Sequence, residues 1–118
     1  EEGGTTIATL EEVWAAQQAI AQDAGLSLIM YEGGSHIVPD RAAIDADPEL
    51  FDFIERFHYS DQMGGLYRRA IDSFGAAGGA FFNAFVEVAG PGPAGFWGAR
   101  RHVADDNPRW RAIADSRA

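Results

Sequence analysis

Two short, almost uninterrupted apolar segments constrain this chain more than any other feature. Residues 26–31 read Leu-Ser-Leu-Ile-Met-Tyr, and residues 80–85 read Ala-Phe-Phe-Asn-Ala-Phe. Runs of this length and composition are typical of strands buried on both faces of a parallel sheet. Parallel strands cannot be joined by a tight turn, so the residues between them must form a crossover, which is right-handed in nearly all proteins. The sequence therefore predicts an α/β fold.

The rest of the chain has the apolar spacing and the cap residues of helices. Thr9 and Glu12 form a capping-box pattern, Gly25 is suited to a C-cap, and Asp61 is suited to an N-cap. A polar loop is expected between residues 36 and 50, and a loop rich in Gly and Pro is expected over 90–98. The predicted helices cover residues 10–24, residues 50–57, the segment from Asp61 to the glycines at 78–79, and the residues that follow Asn107 and Pro108.

The chain is long enough for one hydrophobic core and too short for two domains, since it has 118 residues. A sheet of two parallel strands has little stability of its own. The sequence therefore predicts that residues 1–118 form part of one larger α/β domain, whose remaining strands come from elsewhere.

Composition excludes several classes of function. The net charge is −9, with 18 acidic residues against nine arginines and no lysine. Nucleic acids and anionic membranes need a basic surface, so neither is an expected partner. No apolar run approaches the roughly 20 residues of a membrane-spanning helix. Cysteine is absent, and no two histidines have the spacing of metal ligands, so we expect no metal site.

Glu32 is the residue whose position most suggests chemistry. It directly follows the first predicted strand, and the sites of parallel β/α proteins lie where strands end. Burying an unpaired carboxylate is costly, so an acid at the end of an apolar strand requires a reason. Position alone leaves two interpretations open: a functional carboxylate, or an exposed or salt-bridged loop acid.

Residues 31–36, Tyr-Glu-Gly-Gly-Ser-His, resemble the Tyr-Glu-Gly-Gly-x-His segment of bacterial members of clan A, the large clan of β/α-barrel glycoside hydrolases. Gly-Leu-Tyr-Arg at 65–68, Ala-Gly-Gly at 77–79, Phe-Trp-Gly at 96–98 and the segment 108–113 follow in the same order as in those proteins. The resemblance covers most of the chain. It implies the C-terminal portion of a TIM (β/α)8 barrel, roughly from helix 6 to helix 8. A complete barrel needs about 250 residues, so the chain would be a partial catalytic domain.

The resemblance implies that Glu32 is the nucleophile of a retaining hydrolase that cleaves O-glycosidic bonds in an oligosaccharide or polysaccharide. This mechanism also needs a protonated carboxyl about 5–5.5 Å away and no cofactor. In the clan that group belongs to an Asn-Glu pair after the fourth strand, and this chain has no Asn-Glu. We therefore expect the acid/base upstream and the chain alone to be inactive. Glu87 is the internal acid placed to substitute, although the resemblance gives it no role.

Four other residues are candidates for substrate binding, and three of them have a structural alternative. Trp97 resembles the aromatic residue that stacks on sugar in the clan, or it pins its loop to the barrel. His36 contacts substrate or orients Glu32, or it is an ordinary loop histidine. Asn83 faces the barrel mouth, or its amide is satisfied by backbone. Tyr31 is placed to keep Glu32 ionised through a hydrogen bond.

Two other functions remain open on the sequence alone. A non-catalytic carbohydrate-binding or structural domain would use the same side chains without a second carboxyl. A small acidic α/β protein that dimerises to complete its sheet would need none of them. The sequence leaves localisation open, although secretion or the periplasm would suit an enzyme that acts on polysaccharide.

Overall fold

The computed structural model describes residues 6–116 and has a mixed α/β fold. The two strands are hydrogen-bonded neighbours and run parallel, as predicted, and three helices form the crossover between them. Ile29 pairs with Phe81 and Met30 with Phe82. In chain order, the elements are α1 (Ile7–Asp23), β1 (Ile29–Gly33), α2 (Arg41–Ala46), α3 (Pro48–His58), α4 (Asp61–Ala76), β2 (Phe81–Ala84) and α5 (Pro108–Asp115).

Helix α1 begins earlier than predicted because a different threonine caps it. The Thr6 side chain accepts a hydrogen bond from the Thr9 N–H, and the Thr9 hydroxyl accepts one from the Thr6 N–H. This reciprocal pair satisfies two N–H groups that the first turn leaves free. The predicted box of Thr9 and Glu12 is therefore wrong. The end of the helix is as predicted, and Gly25 follows it with φ 68°.

The predicted polar loop between residues 36 and 50 contains a helix, α2. Asp40 accepts a hydrogen bond from the Ala42 N–H at 2.7 Å, which caps α2. Asp47 accepts one from the Glu49 N–H at 3.1 Å and caps α3 directly after it. Short aspartate side chains favour such caps because they reach the free backbone N–H groups of a first turn.

Helix α4 starts after Ser60, whose hydroxyl accepts a hydrogen bond from the Met63 N–H at 3.3 Å. Asp61 is the first helical residue and not the predicted cap. Gly64 weakens the helix intrinsically, but it lies directly against the first residue of α5. A Cβ at this position would lie 2.8 Å from the Pro108 carbonyl oxygen. A residue that looked like a local defect is thus required by tertiary packing.

The buried core lies between α4 and α5, and the long loop after β2 covers it. The Tyr59 hydroxyl donates to the Gly98 carbonyl at 3.3 Å, and the Asn107 amide donates to the Ala99 carbonyl at 2.9 Å. Asn107 also caps α5, as predicted, because its Oδ1 accepts from the Trp110 N–H. The central cluster consists of Met63, Tyr67, Ala99, Ala112 and Ile113.

The sheet is not buried on both faces, contrary to the prediction. Its inner face lies against the helices, where Phe82 meets Phe74 with ring centroids 5.8 Å apart. Its outer face is open: Tyr31 is 82% exposed and Phe81 is 61% exposed. The two faces are equally apolar in sequence, so the pattern of a fully buried strand is present without the layer that would bury it. Leu66 of α4, predicted to be buried, is also exposed.

Candidate functional site

The carboxyl end of β1 opens into the larger of two described cavities, with a volume of about 680 Å³. The N-terminal halves of α1 and α4 form its walls, and the residues after β1 form its rim. Most of the lining is apolar, including Leu10, Trp14 and Met63. Glu32 and His36 both line it. The structure therefore brings together two of the predicted site residues at the edge of the sheet where the sequence placed them.

The strand register shifts between Met30 and Gly33, as it does at a β-bulge. Met30 pairs with Phe82 and Gly33 pairs with Ala84, so β1 has one residue more than β2 across this interval. A bulge of this kind bends the strand and changes the direction of the side chains within it. The direction of the Glu32 side chain therefore depends on the bulge as well as on strand alternation.

The two glycines after Glu32 are needed for packing inside the protein. Gly34 has φ 147°, a conformation that side-chain-bearing residues rarely adopt, and a Cβ there would lie 2.8 Å from the Tyr67 hydroxyl oxygen. A Cβ on Gly33 would lie 2.6 Å from the Phe82 ring. These glycines therefore let the chain pass close to Tyr67 and Phe82.

Ser35 anchors the segment that carries Glu32 and His36. The Ser35 N–H donates to the Tyr67 hydroxyl oxygen at 2.9 Å. The Ser35 hydroxyl oxygen lies 3.0 Å from Nε2 of His58, at the end of α3. One serine thus joins the rim of the cavity to both α3 and α4.

His58 is deeply buried, with 1% of its surface exposed. Its Nδ1 lies 2.8 Å from the Ile54 carbonyl oxygen, and its ring stacks on Phe96 with centroids 4.8 Å apart. Burial, the largest cause, lowers the pKa of His58 below its ordinary value; the hydrogen bond to Ile54 opposes this, and repulsion from the Arg109 guanidinium adds to it. The imidazole is therefore neutral over the ordinary physiological range.

The His36 and Trp97 rings contact each other, with centroids 5.0 Å apart. Phe85, just after β2, lies edge-on to the Trp97 ring, with centroids 6.3 Å apart. The Trp97 indole N–H donates to the Ala94 carbonyl at 3.0 Å, within its own loop. Trp97 therefore joins His36 at the carboxyl edge of the sheet, and its polar group is already used to hold the loop.

Tyr31 and Asn83 form a separate pair. The Asn83 amide donates to the Tyr31 carbonyl oxygen at 2.8 Å, and both residues are exposed. The bond forms beside the bulge, where the ladder is interrupted. The Asn83 amide is thus hydrogen-bonded to backbone, which was one of the two interpretations of this residue, although Asn83 is exposed and not buried. Neither residue lines the cavity that holds Glu32 and His36.

The cavity has one acidic side chain among its described lining residues, Glu32, and one arginine, Arg69. Glu87 is not part of the lining; it forms an ion pair with Arg100 and is largely exposed. Within residues 6–116, no three His, Asp or Glu side chains are grouped so that they could hold a metal ion. The arrangement offers one solvent-accessible carboxylate beside an apolar wall and an aromatic pair. Such a group can attack an electrophilic carbon or accept hydrogen bonds from hydroxyls.

No protein-family model, curated protein or solved structure matches this chain. Along the described part of the chain, 6–116, no helix is both long enough and apolar enough to cross a membrane.

The sequence did not point to two buried side chains near the site, the neutral His58 and the cationic Arg109. Arg109 is fully buried, donates to the Phe96 carbonyl at 3.0 Å and lies over the rings of Tyr59 and Tyr67. Local sequence does not reveal either burial, because Ser35 and Phe96, which contact His58, and Phe96, Tyr59 and Tyr67, which contact Arg109, come from other elements of the fold.

Proposed function

We propose that this chain is the C-terminal portion of a β/α-barrel glycoside hydrolase, with Glu32 as the nucleophile of a retaining reaction. The observation that carries the proposal is the position of Glu32: it is exposed at the carboxyl end of a parallel strand and precedes His36, whose ring contacts Trp97. This is the edge at which parallel β/α proteins bind and transform their ligands.

The open outer face of the sheet supports the barrel part of the proposal. Ile29, Tyr31 and Phe81 are apolar or aromatic and largely exposed, and a two-stranded parallel sheet lacks neighbours on both edges. In a closed barrel these residues would face the interior, and strands from the remainder of the parent barrel would pair with both edges.

In the proposed reaction, a Glu32 carboxylate oxygen attacks the anomeric carbon of an oligosaccharide or polysaccharide. The bond from that carbon to the leaving oxygen breaks, and the leaving oxygen takes a proton from a second carboxyl. Water then hydrolyses the glycosyl ester and gives its proton to that second group, which regenerates both carboxyls. Glu32 is the one acid in the described lining of the cavity. The acid/base therefore belongs to the upstream part of the barrel, as an Asn-Glu pair at a strand end.

Covalent trapping tests the proposal directly. The parent polypeptide, incubated with activated 2-deoxy-2-fluoro glycosides of several sugars, should gain the mass of one glycosyl group, and peptide mapping should locate that group on Glu32. Glu32→Gln should not be labelled, while Glu87→Gln should be labelled like the parent. Label on another residue, or turnover that survives Glu32→Gln, would contradict the assignment.

A non-catalytic carbohydrate-binding domain is the alternative, and one observation favours it. The His36 and Trp97 rings already contact each other in a chain whose cavity holds a single acid, and an aromatic surface binds sugar without any carboxyl. The same variant separates the two functions. Glu32→Gln should abolish turnover and leave binding in a hydrolase, whereas in a binding domain it should only weaken the association measured by calorimetry.

A further inference from the structure

We propose that His58 is a positioning residue: as a neutral imidazole it accepts a hydrogen bond from the Ser35 hydroxyl and thereby holds residues 33–36 in place beside Glu32. Its importance for chemistry rests on the proposed function. The contact itself does not, because it joins α3 to the rim of the cavity whatever the ligand is.

The direction of the hydrogen bond follows from the partner of the other ring nitrogen. The Ile54 carbonyl oxygen, 2.8 Å from Nδ1, can only accept, so Nδ1 carries the proton. In a neutral imidazole Nε2 then has a free lone pair, and the Ser35 hydroxyl, 3.0 Å away, must be its donor. The hydrogen bond to the Ile54 carbonyl in α3 therefore fixes the tautomer of His58, and that tautomer presents an acceptor to Ser35 in the segment after β1.

Few other contacts hold this segment. Glu32, Gly34 and His36 are exposed, whereas Ser35 is half-buried and takes both anchoring bonds, one to Tyr67 through its N–H and one to His58 through its hydroxyl. One bond leads to α4 and the other to α3, while the Gly33 carbonyl accepts from the Phe85 N–H at 3.0 Å and ties the start of the segment to the sheet. Loss of the bond to His58 would leave Ser35 tied to α4 alone.

Protonation of His58 would oppose this arrangement. A second N–H at Nε2 would require the Ser35 hydroxyl to rotate and accept instead of donate, and the buried positive charge formed close to Arg109 would favour the entry of water beside Ser35. The groups around the imidazole are Arg109 on α5, which is cationic, Ser35, which is neutral, and the rings of Phe57 on α3 and Phe96 in the long loop, which have no polar side-chain atoms. No carboxylate is among the groups that shift the His58 pKa in the described chain.

The order of the segment should therefore depend on pH. Since the pKa of His58 is lowered in the folded state, the imidazole keeps Nε2 as an acceptor above about 6.5, the value of an exposed histidine, and loses it only as the pH falls through the lower folded value.

Amide hydrogen exchange of Ser35 in the full chain tests the proposal without any ligand. The protection factor, which corrects for the intrinsic effect of pH, should fall roughly three- to tenfold between neutral pH and a pH on the acid side of the His58 titration, the size expected for one net hydrogen bond. Ser35→Ala should show the low value at both pH values. Ser73→Ala, which removes a half-buried hydroxyl bonded to Glu11, is the matched control and should behave like the unmodified chain.

Two substitutions of the histidine complete the test. His58→Gln can place an amide oxygen near the position of Nε2 and does not titrate, so Ser35 should stay protected at both pH values. His58→Phe keeps the stacking on Phe96 and removes the acceptor, so protection should be low throughout. If either variant fails to fold, the serine pair alone decides the matter. Equal protection in Ser35→Ala and Ser73→Ala at neutral pH would overturn the proposal, as would an unchanged pH dependence in His58→Gln.

The same serine pair separates this inference from the proposed hydrolase. In the parent polypeptide, Ser35→Ala should slow the trapping of Glu32 by the fluoroglycoside, and Ser73→Ala should not. Equal trapping rates would show that Ser35 does not position the nucleophile. A complete lack of label on Glu32 in the unmodified protein would instead overturn the proposed function and leave the exchange result standing.

Discussion

The core between α4 and α5 and the outer face of the two-stranded sheet are both built from apolar and aromatic side chains, yet only the first is buried. Met63 and Ile113 are almost fully covered, because α5 and the long loop after β2 close over α4. Ile29, Tyr31 and Phe81 have no such cover. The difference lies in what residues 6–116 supply: they cover the helical face of α4 and leave the outer face of the sheet open.

This comparison suggests how stability is distributed. Burying a large apolar side chain contributes about 1.5–3 kcal/mol relative to leaving it exposed, so the folding free energy of the chain should come mainly from its α4–α5 half. The sheet is held on one side only, through Phe82, Phe74 and Trp14. The candidate site lies at the junction, with Glu32 on the sheet and its anchoring partners in the helices.

The largest expected effect comes from breaking the link between the helices and the sheet. Phe74 is 2% exposed and packs edge-on against both Trp14 and Phe82. Phe74→Ala should lower the free energy of unfolding by about 3–5 kcal/mol, because it removes buried area and leaves a cavity. Chemical denaturation measures this loss. Phe53→Ala, on the exposed side of α3, is the matched control, and a loss of the same size there would contradict the comparison.

The α/β class and the parallel pairing could be predicted because they depend on local features. The apolar runs at 26–31 and 80–85 specify strands, and Asn107 followed by Pro108 specifies a helix start whatever surrounds it. The ends of elements were less predictable. Thr6 competes with Thr9 for the start of α1, and only the backbone geometry decides which one caps it.

The candidate site could be predicted in part. Glu32 and His36 line one cavity because the strand end and its following loop are contiguous in sequence. Tyr31 and Asn83 were expected at the same place. Instead, beside the register shift after Met30, the Asn83 amide donates to the Tyr31 carbonyl. A bulge has no signature in this sequence, since it depends on the register between distant strands. The functional roles of these residues, and of Trp97, stay predictions.

The next largest effect is a fall in the free energy of unfolding at acid pH, which arises in the α4–α5 half of the chain. Asp105 is buried and accepts hydrogen bonds from the Arg101 guanidinium at 2.8 Å and from the Asn107 amide at 3.1 Å. The bond from Arg101, with smaller contributions from its backbone N–H and from Asn107, holds the pKa of Asp105 well below its ordinary value. The unfolded chain therefore binds a proton first as the pH falls, so stability is complete above about 4 and declines below it.

Asp105→Asn should lower the free energy of unfolding by about 2–3 kcal/mol at neutral pH, because it removes a charged partner from Arg101. It should also flatten the decline below about pH 4. Unfolding followed by circular dichroism across pH gives both quantities. Asp106→Asn, which alters an exposed pair with Arg111, should change stability less. An unchanged acid profile in Asp105→Asn would show that other carboxyls control it.

A smaller effect is expected at the start of α5. Asn107 is buried, caps the helix through Oδ1 and donates to the Ala99 carbonyl. Asn107→Ala should cost about 1–2 kcal/mol, from the lost cap and the unpaired carbonyl. Asp47, which caps α3, is exposed. Asp47→Ala should therefore lower the free energy of unfolding by less than Asn107→Ala does. Thermal unfolding of the two variants sharpens the comparison, and a greater loss at Asp47 would place the stable half of the chain elsewhere.

The smallest effect should occur on the open face of the sheet, and it tests the barrel proposal most directly. Phe81 and Phe82 are neighbours on β2, but Phe81 is exposed and Phe82 packs on Phe74. In the isolated chain, Phe81→Ala should change the free energy of unfolding by less than about 0.5 kcal/mol, whereas Phe82→Ala should be clearly destabilising.

In the proposed parent polypeptide, Phe81→Ala should be destabilising as well. If further strands close the sheet, Phe81 is buried there, and its replacement by Ala should cost about 3–5 kcal/mol, as for a core phenylalanine. A contrast between a silent variant in the chain and a damaging one in the parent is what a barrel interior requires, because the same side chain moves from solvent to core. If Phe81→Ala stays silent in both, the outer face remains open to solvent in the parent as well, and Glu32 stands at the edge of a two-layer sheet and not at the mouth of a barrel.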